Sequence, residues 1–195
     1  METDDELLSR VRSGDEDAFV MLVARYQQPM LRLARSMVSN QAVAEEAVQD
    51  AWLGVVRGIE QFEGRSSFKT WLFRILVNRA RSAGAREPSD ASIERLRTVD
   101  PTSFDAEGQW ADPVDPWTEE SDKRLDAATW APVLKMALDD LPPRQRQVVV
   151  LRDVEGLSND EACAVLGITL GNQRILLHRG RARLRGILDN KIEKR

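Results

Sequence analysis

Arginines and one asparagine recur on one side of the segment that follows Thr169, close to the end of the chain. At about 100° per residue, a helical wheel gathers them on an outward face and a flank, opposite an apolar seam. Guanidinium groups bind phosphates, and Arg or Asn on an outward face can reach base edges in the major groove. The pattern therefore predicts a helix that binds duplex DNA. The side chains expected to contact DNA are Thr169, Asn172, Arg174, Ile175, His178, Arg179, Arg181 and Arg183.

The helical wheel gives each face of this helix a different role. The buried seam is expected to contain Leu170, Gln173, Leu177, Gly180, Leu184 and Ile187. The face toward the bases contains Asn172, Ile175, Arg179 and Arg183, and the phosphate-binding flank contains Arg174, His178, Arg181 and Arg185. A solvated basic face on an ordinary helix is the alternative interpretation.

The residues before this helix favour the DNA-binding interpretation. Ser158 and Glu161 form the two ends of a capping box, which opens a short helix that ends at Leu166 and Gly167. Thr169 then provides an N-cap for the arginine-rich helix. A short helix, a tight turn containing glycine and a second helix rich in Arg is the pattern of a helix-turn-helix.

The charge of the chain is distributed unevenly over its 195 residues. Residues 1–86 carry 12 basic and 12 acidic side chains, residues 87–126 carry 4 and 12, and residues 127–195 carry 12 and 8. The net charges are therefore 0, −8 and +4, which add to the −4 of the whole chain. The middle segment is rich in Pro, Ser and Asp without a sustained period, so it is expected to be an acidic, flexible linker.

Both flanking segments show the periodicity of helices, and neither shows the alternation of strands. In the first segment, capping boxes are expected at Thr3 and Ser13, Pro29 is expected to end one helix, and Asn40 is expected to cap another. The fold class is therefore predicted as all-α. Two small helical domains, 1–86 and 127–195, are expected on either side of the linker 87–126.

Several classes of function are excluded by composition. The single cysteine, Cys163, cannot form a disulfide within the chain, and the single histidine, His178, has no metal ligand at coordinating spacing. No metal and no cofactor are therefore expected. Because no apolar run reaches about 18 residues, neither a signal peptide nor a membrane span is predicted. An enzyme is disfavoured since no phosphate loop or paired carboxylate site stands out, and a cytoplasmic location is expected.

Two long runs resemble a known family. The run AEEAVQDAWLGVVRGIEQFEGRSSFKTWLFRILVNRAR (44–81) resembles region two of bacterial RNA polymerase sigma factors of the small extracytoplasmic-function class. The run from 138 to 185, which contains the helix-turn-helix, resembles region four of the same class. Both runs are long and in the correct order, with a linker between them, so the resemblance covers nearly the whole chain.

The resemblance implies a promoter-specificity factor that binds core RNA polymerase and starts transcription at −35/−10 promoters, with a stress or envelope-response regulon. Region four would read the −35 element as duplex, and the loop and helix at 62–81 would melt and read the −10 element. An anti-sigma factor is an expected partner. The resemblance places the −10 contacts at Arg65, Phe68, Lys69, Trp71, Asn78, Arg79 and Arg81, and docking on core polymerase at Gln49, Asp50 and Trp52.

Three points stay open in the sequence. A one-component regulator with a helix-turn-helix is the alternative function. Gln173 occupies a seam position where members of the family carry an apolar residue, so it is expected to need a polar partner. Phe104, Trp110 and Trp117 are unusual in an acidic linker. They either pack on one of the domains, dock in a channel of a partner, or let the linker itself hold the two domains in a closed form.

Overall fold

The computed structural model describes residues 2–84 and 127–192, and it describes side chains over 2–84 and 132–188. These residues form eight α-helices and no strand, which confirms the all-α prediction. The first bundle contains α1 (Asp4–Arg12), α2 (Glu16–Arg35), α3 (Gln41–Gly58) and α4 (Phe68–Gly84), with a 3₁₀ turn at Ile59–Gln61. The second bundle contains α5 (Ala127–Asp139), α6 (Pro143–Val149), α7 (Asn159–Leu166) and α8 (Leu170–Ile192), with a π-helical turn at Val150–Val154.

The helix starts follow the predicted caps with one exception. The Thr3 hydroxyl accepts from the Glu6 N–H while the Glu6 carboxylate accepts from the Thr3 N–H, so the capping box is present. Asn40 caps α3 as expected. The box predicted at Ser13 is wrong, because Ser13 ends α1 and Asp15 is the N-cap of α2, where its carboxylate accepts from the Ala18 N–H.

The predicted helix break at Pro29 is also wrong. Helix α2 runs through Pro29 without interruption to Arg35. Proline inside a helix costs about 3 kcal/mol. Leu22, Met30 and Leu33 lie on one continuous face of α2 and are fully buried, so packing on both sides of the proline outweighs that cost.

The second bundle is assembled around a close approach of two helices. Gly180 of α8 faces Val149 of α6, and a Cβ at residue 180 would lie 2.7 Å from the Val149 Cγ2 atom. Only a glycine permits this distance, because real Cβ contacts are not found below 3.0 Å. Helix α8 is thereby held against α6 by its predicted seam.

The seam of α8 also contains a buried amide. Gln173 is fully buried, as the helical wheel predicts, but neither its Oε1 nor its Nε2 atom has a hydrogen-bond partner among the described residues. The polar partner that the sequence analysis says Gln173 needs is therefore not present among the described residues. An unpaired amide in a core destabilises the fold.

The two bundles are in direct contact. Helix α4 packs against α7, and α2 packs against the π-helical turn. The predicted clamp by Phe104, Trp110 and Trp117 falls outside the described residues. The two bundles therefore touch each other directly, in a closed arrangement.

Candidate nucleic-acid interface

Helix α8 begins as the sequence predicts. Gly167 ends α7 with a φ of 64°, a left-handed conformation that glycine adopts without strain. The Thr169 hydroxyl then accepts a hydrogen bond from the Asn172 N–H at 3.3 Å, which makes Thr169 the N-cap. The turn and the cap together define where α8 begins.

The basic side chains of α8 differ in their accessibility. Arg174, Arg181 and Arg183 are exposed, whereas Asn172 and Arg179 are half-buried. Ile175, expected on the base-facing side, is half-buried as well. Arg174, Arg181 and Arg183 are therefore the exposed cations among the predicted contacts on this helix.

Two of the predicted phosphate contacts, Arg181 and His178, lie in surroundings that weaken their attraction for a phosphate. Arg181 donates to both carboxylate oxygens of Asp153, at 2.6 and 2.9 Å, so DNA would compete with an acidic neighbour for this side chain. Burial, together with the charges of Arg179 and Arg181, lowers the pKa of His178 below its usual 6.5. The lowered pKa makes His178 a weaker source of positive charge for a phosphate than an unperturbed histidine.

The predicted −10 residues separate into two groups along α4 and the loop before it. Arg65, Asn78, Arg79 and Arg81 are exposed, whereas Lys69 and Trp71 are half-buried. Arg65 pairs with Glu63 at 2.9 Å, and both side chains remain largely in solvent. Arg79 and Arg81 are therefore exposed cations on α4, and Arg65 is an exposed cation in the loop before it.

Phe68 does not belong to that exposed row. It is only 2% exposed and packs edge-on against Tyr26 and Phe62. Phe68 would have to leave the core to stack on a base. Its predicted DNA contact is therefore not compatible with this conformation, in which Phe68 is a core residue. Trp71 lies beside Phe62 and Phe68 and stays half-buried, which makes it the aromatic side chain nearest to the surface in this cluster.

Sequence reasoning missed Arg12, which holds the loop before α4 in place. Its guanidinium donates to the carbonyl oxygens of Ile59, at 3.3 Å, and of Phe62. Beside it lies an open cavity of about 280 Å³, lined by Asp5, Leu8, Ser9, Arg12, Phe62, Glu63 and Gly64. The only sequence signal is that Arg12 ends α1 just before a turn, which does not indicate a distant partner.

Polar groups of the predicted −10 face are bound to the second bundle. Lys69 Nζ donates to the Glu155 carbonyl oxygen at 2.5 Å and lies 3.3 Å from its carboxylate. Arg81 donates to the carbonyl oxygen of Leu166 at 2.5 Å, near the end of α7. In this conformation, two predicted DNA contacts therefore have partners within the protein.

Comparisons with known proteins agree on one family. The Sigma-70 region 2 model matches residues 22–87, and the Sigma-70, region 4 model matches residues 133–184. The chain is 30% identical over 194 residues to the ECF RNA polymerase sigma-E factor of Escherichia coli (strain K12), covering 98% of this chain and 95% of that protein. The sigma-E factor of Haemophilus influenzae is also 30% identical, with 98% and 96% covered. The chain belongs to the ECF sigma factors.

Solved structures agree with that assignment. CnrH in complex with the cytosolic domain of CnrY gives a TM-score of 0.60 at 26% identity, over 97% of this chain and 99% of that one. For the fold alone, RpoE in complex with the anti-sigma factor NepR from Bartonella quintana gives a TM-score of 0.59 at 24% identity, over 88% and 96%. The similarity therefore extends over both bundles.

Membership of this family confirms the functional prediction. This sigma factor is a promoter-specificity factor, which binds core RNA polymerase and promoter DNA to start transcription. Nothing favours the alternative of a one-component regulator. Over the residues that the structure describes, no helix combines the length and the apolar character needed to cross a bilayer.

The predicted polymerase-docking residues of the sigma factor lie on α3. Gln49 and Asp50 are exposed, but Trp52 is only 9% exposed and donates from Nε1 to the Gln27 side chain at 3.0 Å. Trp52 is therefore a core residue in this conformation, and its predicted docking contact needs the same correction as Phe68. Sequence reasoning missed Leu53 and Val56, which are apolar and more than half exposed beside Gln49 and Asp50.

Proposed function

We propose that the sigma factor divides promoter recognition between its two bundles. Helix α8 reads the −35 element as duplex, and α4 with its preceding loop binds the melted −10 strand. The observation that carries this proposal is the set of exposed cations, Arg174 and Arg183 on α8 and Arg79 on α4, on helices with defined starts. Cations bind the phosphate backbone, and outward polar groups at the start of a recognition helix bind bases.

The proposed functional units follow the sequence boundaries. Residues 1–86 dock on the polymerase and bind the −10 element, residues 87–126 link the units, and residues 127–195 bind the −35 element. The docking surface combines Gln49 and Asp50 with the exposed apolar side chains of Leu53 and Val56. Charged and apolar groups side by side are typical of a protein interface rather than of a DNA-binding face.

The proposal extends to setting and partners. The sigma factor works without a catalytic site of its own, in the cytoplasm with RNA polymerase, on a stress or envelope-response regulon. An anti-sigma factor is a further partner, and the similarity to RpoE, solved with the anti-sigma factor NepR, supports this. CnrH, solved in complex with the cytosolic domain of CnrY, supports a protein partner.

The −35 assignment is tested by the salt dependence of duplex binding. Arg174→Ala removes one exposed cation of α8, so the slope of log affinity against log salt is expected to become shallower by about 1 unit. Fluorescence anisotropy with a −35 duplex, selected from a promoter library by holoenzyme, measures that slope. Lys135→Ala is the matched control, because Lys135 is an exposed cation on α5 of the same bundle. An equal change of slope in both variants contradicts the assignment.

The docking assignment is tested with core RNA polymerase. The double substitution Gln49→Ala and Asp50→Ala is expected to weaken core binding by roughly thirtyfold, since each polar interface contact contributes about 1 kcal/mol. Glu60→Ala removes an exposed carboxylate from the same bundle and serves as the control. Pull-down and competition against the unmodified sigma factor measure the loss. Weakening of promoter-strand binding alone, with unchanged core binding, contradicts the docking surface.

A further inference from the structure

Glu155 is a buried carboxylate whose charged partners come from the other bundle. Its side chain is only 3% exposed at the end of the π-helical turn. Arg32 of α2 lies 2.8 Å from its Oε1 atom, and Lys69 of α4 lies 3.3 Å from its Oε2 atom. A buried charge without a partner is costly, so the second bundle gains from this site only while it rests on the first.

Glu161 forms a second contact of the same kind at the start of α7. Its Oε1 atom accepts from the hydroxyls of Ser67 and Thr70, each at 2.9 Å, and Thr70 is only 2% exposed. Its Oε2 atom accepts from the Ser158 N–H at 2.9 Å, within the capping box. This backbone hydrogen bond, supported by the two hydroxyls, lowers the pKa of Glu161 to about 2, so the carboxylate is ionised.

Two neutral oxygens complete the contact. The Leu166 carbonyl at the end of α7 accepts from Arg81 at 2.5 Å, and the Ser36 carbonyl at the end of α2 accepts from Gln147 at 3.4 Å. A cation is favoured at a helix C-terminus, where the carbonyls carry partial negative charge. Oxygen atoms of the second bundle therefore accept hydrogen bonds from side chains of the first bundle between Ser67 and Arg81.

These acceptors occupy the places that phosphate oxygens would take on the −10 face. Lys69 and Arg81 belong to the −10 surface of the proposed function, on which this inference rests, and both are bound to oxygens of the second bundle. We propose that the free sigma factor is self-inhibited by an acidic clasp, in which Glu155 and Glu161 hold Arg32, Ser67, Lys69 and Thr70 and keep the −10 strand away from α4.

Promoter geometry requires the clasp to open. The −35 and −10 elements lie about 25 base pairs apart, which is about 85 Å of duplex at about 3.4 Å per pair. Helices α4 and α7 touch in the closed form, so the two bundles cannot reach both elements at once. Opening therefore precedes promoter recognition, and a partner that binds only the open form, such as core polymerase, shifts the equilibrium.

The clasp is tested by substitutions that remove the negative charges of Glu155 and Glu161 but keep the size of their side chains. The double substitution Glu155→Gln and Glu161→Gln keeps the side-chain volumes, and Gln at residue 161 preserves the capping box. Asp140→Asn with Asp160→Asn is the matched control, because it removes two exposed negative charges from the same bundle. Circular dichroism of both full-length variants checks that the helices are intact.

Two readouts follow on the full chain. Small-angle scattering is expected to give a compact profile for the unmodified protein and the Asp control at about 0.1 M salt, and an expanded profile for the Glu variant. Binding of a single-stranded −10 oligonucleotide, measured by anisotropy, is expected to become about tenfold tighter in the Glu variant, because the competent open form rises from a minor to the major state. Affinity for the −35 duplex is expected to change by less than about twofold.

The outcomes separate the clasp from the proposed function. An expanded profile for the unmodified protein, or equal profiles for all three proteins, overturns the clasp, because scattering does not depend on any DNA assignment. Equal gains in oligonucleotide affinity for the Glu and Asp variants also overturn the clasp, because the gain then comes from the loss of negative charge in general rather than from Glu155 and Glu161. Expansion without oligonucleotide binding by any variant keeps the closure but overturns the −10 assignment, and with it the proposed inhibition.

Discussion

The two bundles of the sigma factor achieve stability in different ways. Of the twelve largest fully buried side chains among the described residues, nine lie in the first bundle and three in the second. One of those three is Gln173, whose amide has no described partner. The first bundle relies on large apolar side chains such as Phe73, whereas the second relies on the close approach of α8 to α6 at Gly180.

The buried polar groups show the same contrast. The hydroxyl of Ser36, a buried polar group of the first bundle, donates to the nearby Leu33 carbonyl within the same bundle. Glu155 in the second bundle finds both of its cations across the interface. A small bundle with a small core thus depends on its neighbour, and the first bundle does not depend on it to the same degree. Substitutions in the second bundle should therefore test this difference between the bundles more directly than substitutions in the first.

The largest expected effect comes from Gly180→Ala. The new Cβ would lie 2.7 Å from Val149 Cγ2, a buried β-branched side chain with little freedom to move, so α8 must shift from α6. Overpacking of this kind is expected to destabilise the second bundle by about 1–3 kcal/mol. Urea unfolding followed by circular dichroism measures the change.

Gly186→Ala is the matched control on the same helix. A Cβ at residue 186 meets no atom within 4 Å, so alanine is expected to stabilise α8 by about 0.5–1 kcal/mol through helix propensity. If Gly180→Ala lowers the free energy of unfolding and Gly186→Ala raises it, the result supports a second bundle that is held together by the close approach of α8 to α6. A stabilising Gly180→Ala would show that the α6–α8 contact is loose.

A smaller and favourable effect is expected from Gln173→Met. The fully buried amide has no described partner for either polar atom, and methionine has a similar length without polar groups. Removing an unsatisfied buried amide is expected to stabilise the second bundle by about 1–2 kcal/mol. The midpoint of urea unfolding should rise at an unchanged slope. A loss of stability would mean that the amide has a partner in solution, such as a bound water.

The smallest effect concerns the pH dependence of Glu161. Its pKa is lowered from 4.5 to about 2, chiefly by the Ser158 backbone hydrogen bond, so the ionised form is bound more strongly in the folded state. This contribution to stability is complete above pH 4.5 and is lost as the pH falls toward 2. The thermal midpoint of Glu161→Gln should therefore fall less steeply over that range than that of the unmodified protein.

The control for the pH experiment is Glu60→Gln, which removes an exposed carboxylate from the first bundle. Its thermal midpoint should follow that of the unmodified protein between pH 4.5 and 2. If the Glu161 and Glu60 variants behaved alike, the capping carboxylate would contribute nothing specific, and the second bundle would not depend on it.

The sequence predicted the helices and most of their starts, because caps and apolar stripes are local signals. Thr3, Asn40, Ser158 and Thr169 were assigned from a few neighbouring residues, and each accepts the expected backbone hydrogen bond. Pro29 was misassigned because its cost is local while the compensating packing is not.

Side-chain burial at the candidate sites was predictable only in part. Phe68 and Trp52 lie next to exposed positions along the chain, and their burial depends on Tyr26, Phe62 and Gln27 of other segments. The pairing of Lys69 with Glu155 joins residues 86 positions apart. No periodicity reports such a contact, since it depends on how two separately formed bundles meet.

The two oxygens of Glu161 give the molecule a pre-organised surface. Because Oε2 is held by the Ser158 N–H, Oε1 keeps a fixed direction whether or not Ser67 and Thr70 are near. Little side-chain entropy then remains to be lost when the bundles meet. The rate of closing should accordingly be limited by the diffusion of two tethered bodies rather than by the ordering of the Glu161 side chain, whereas the rate of opening depends on breaking the contacts.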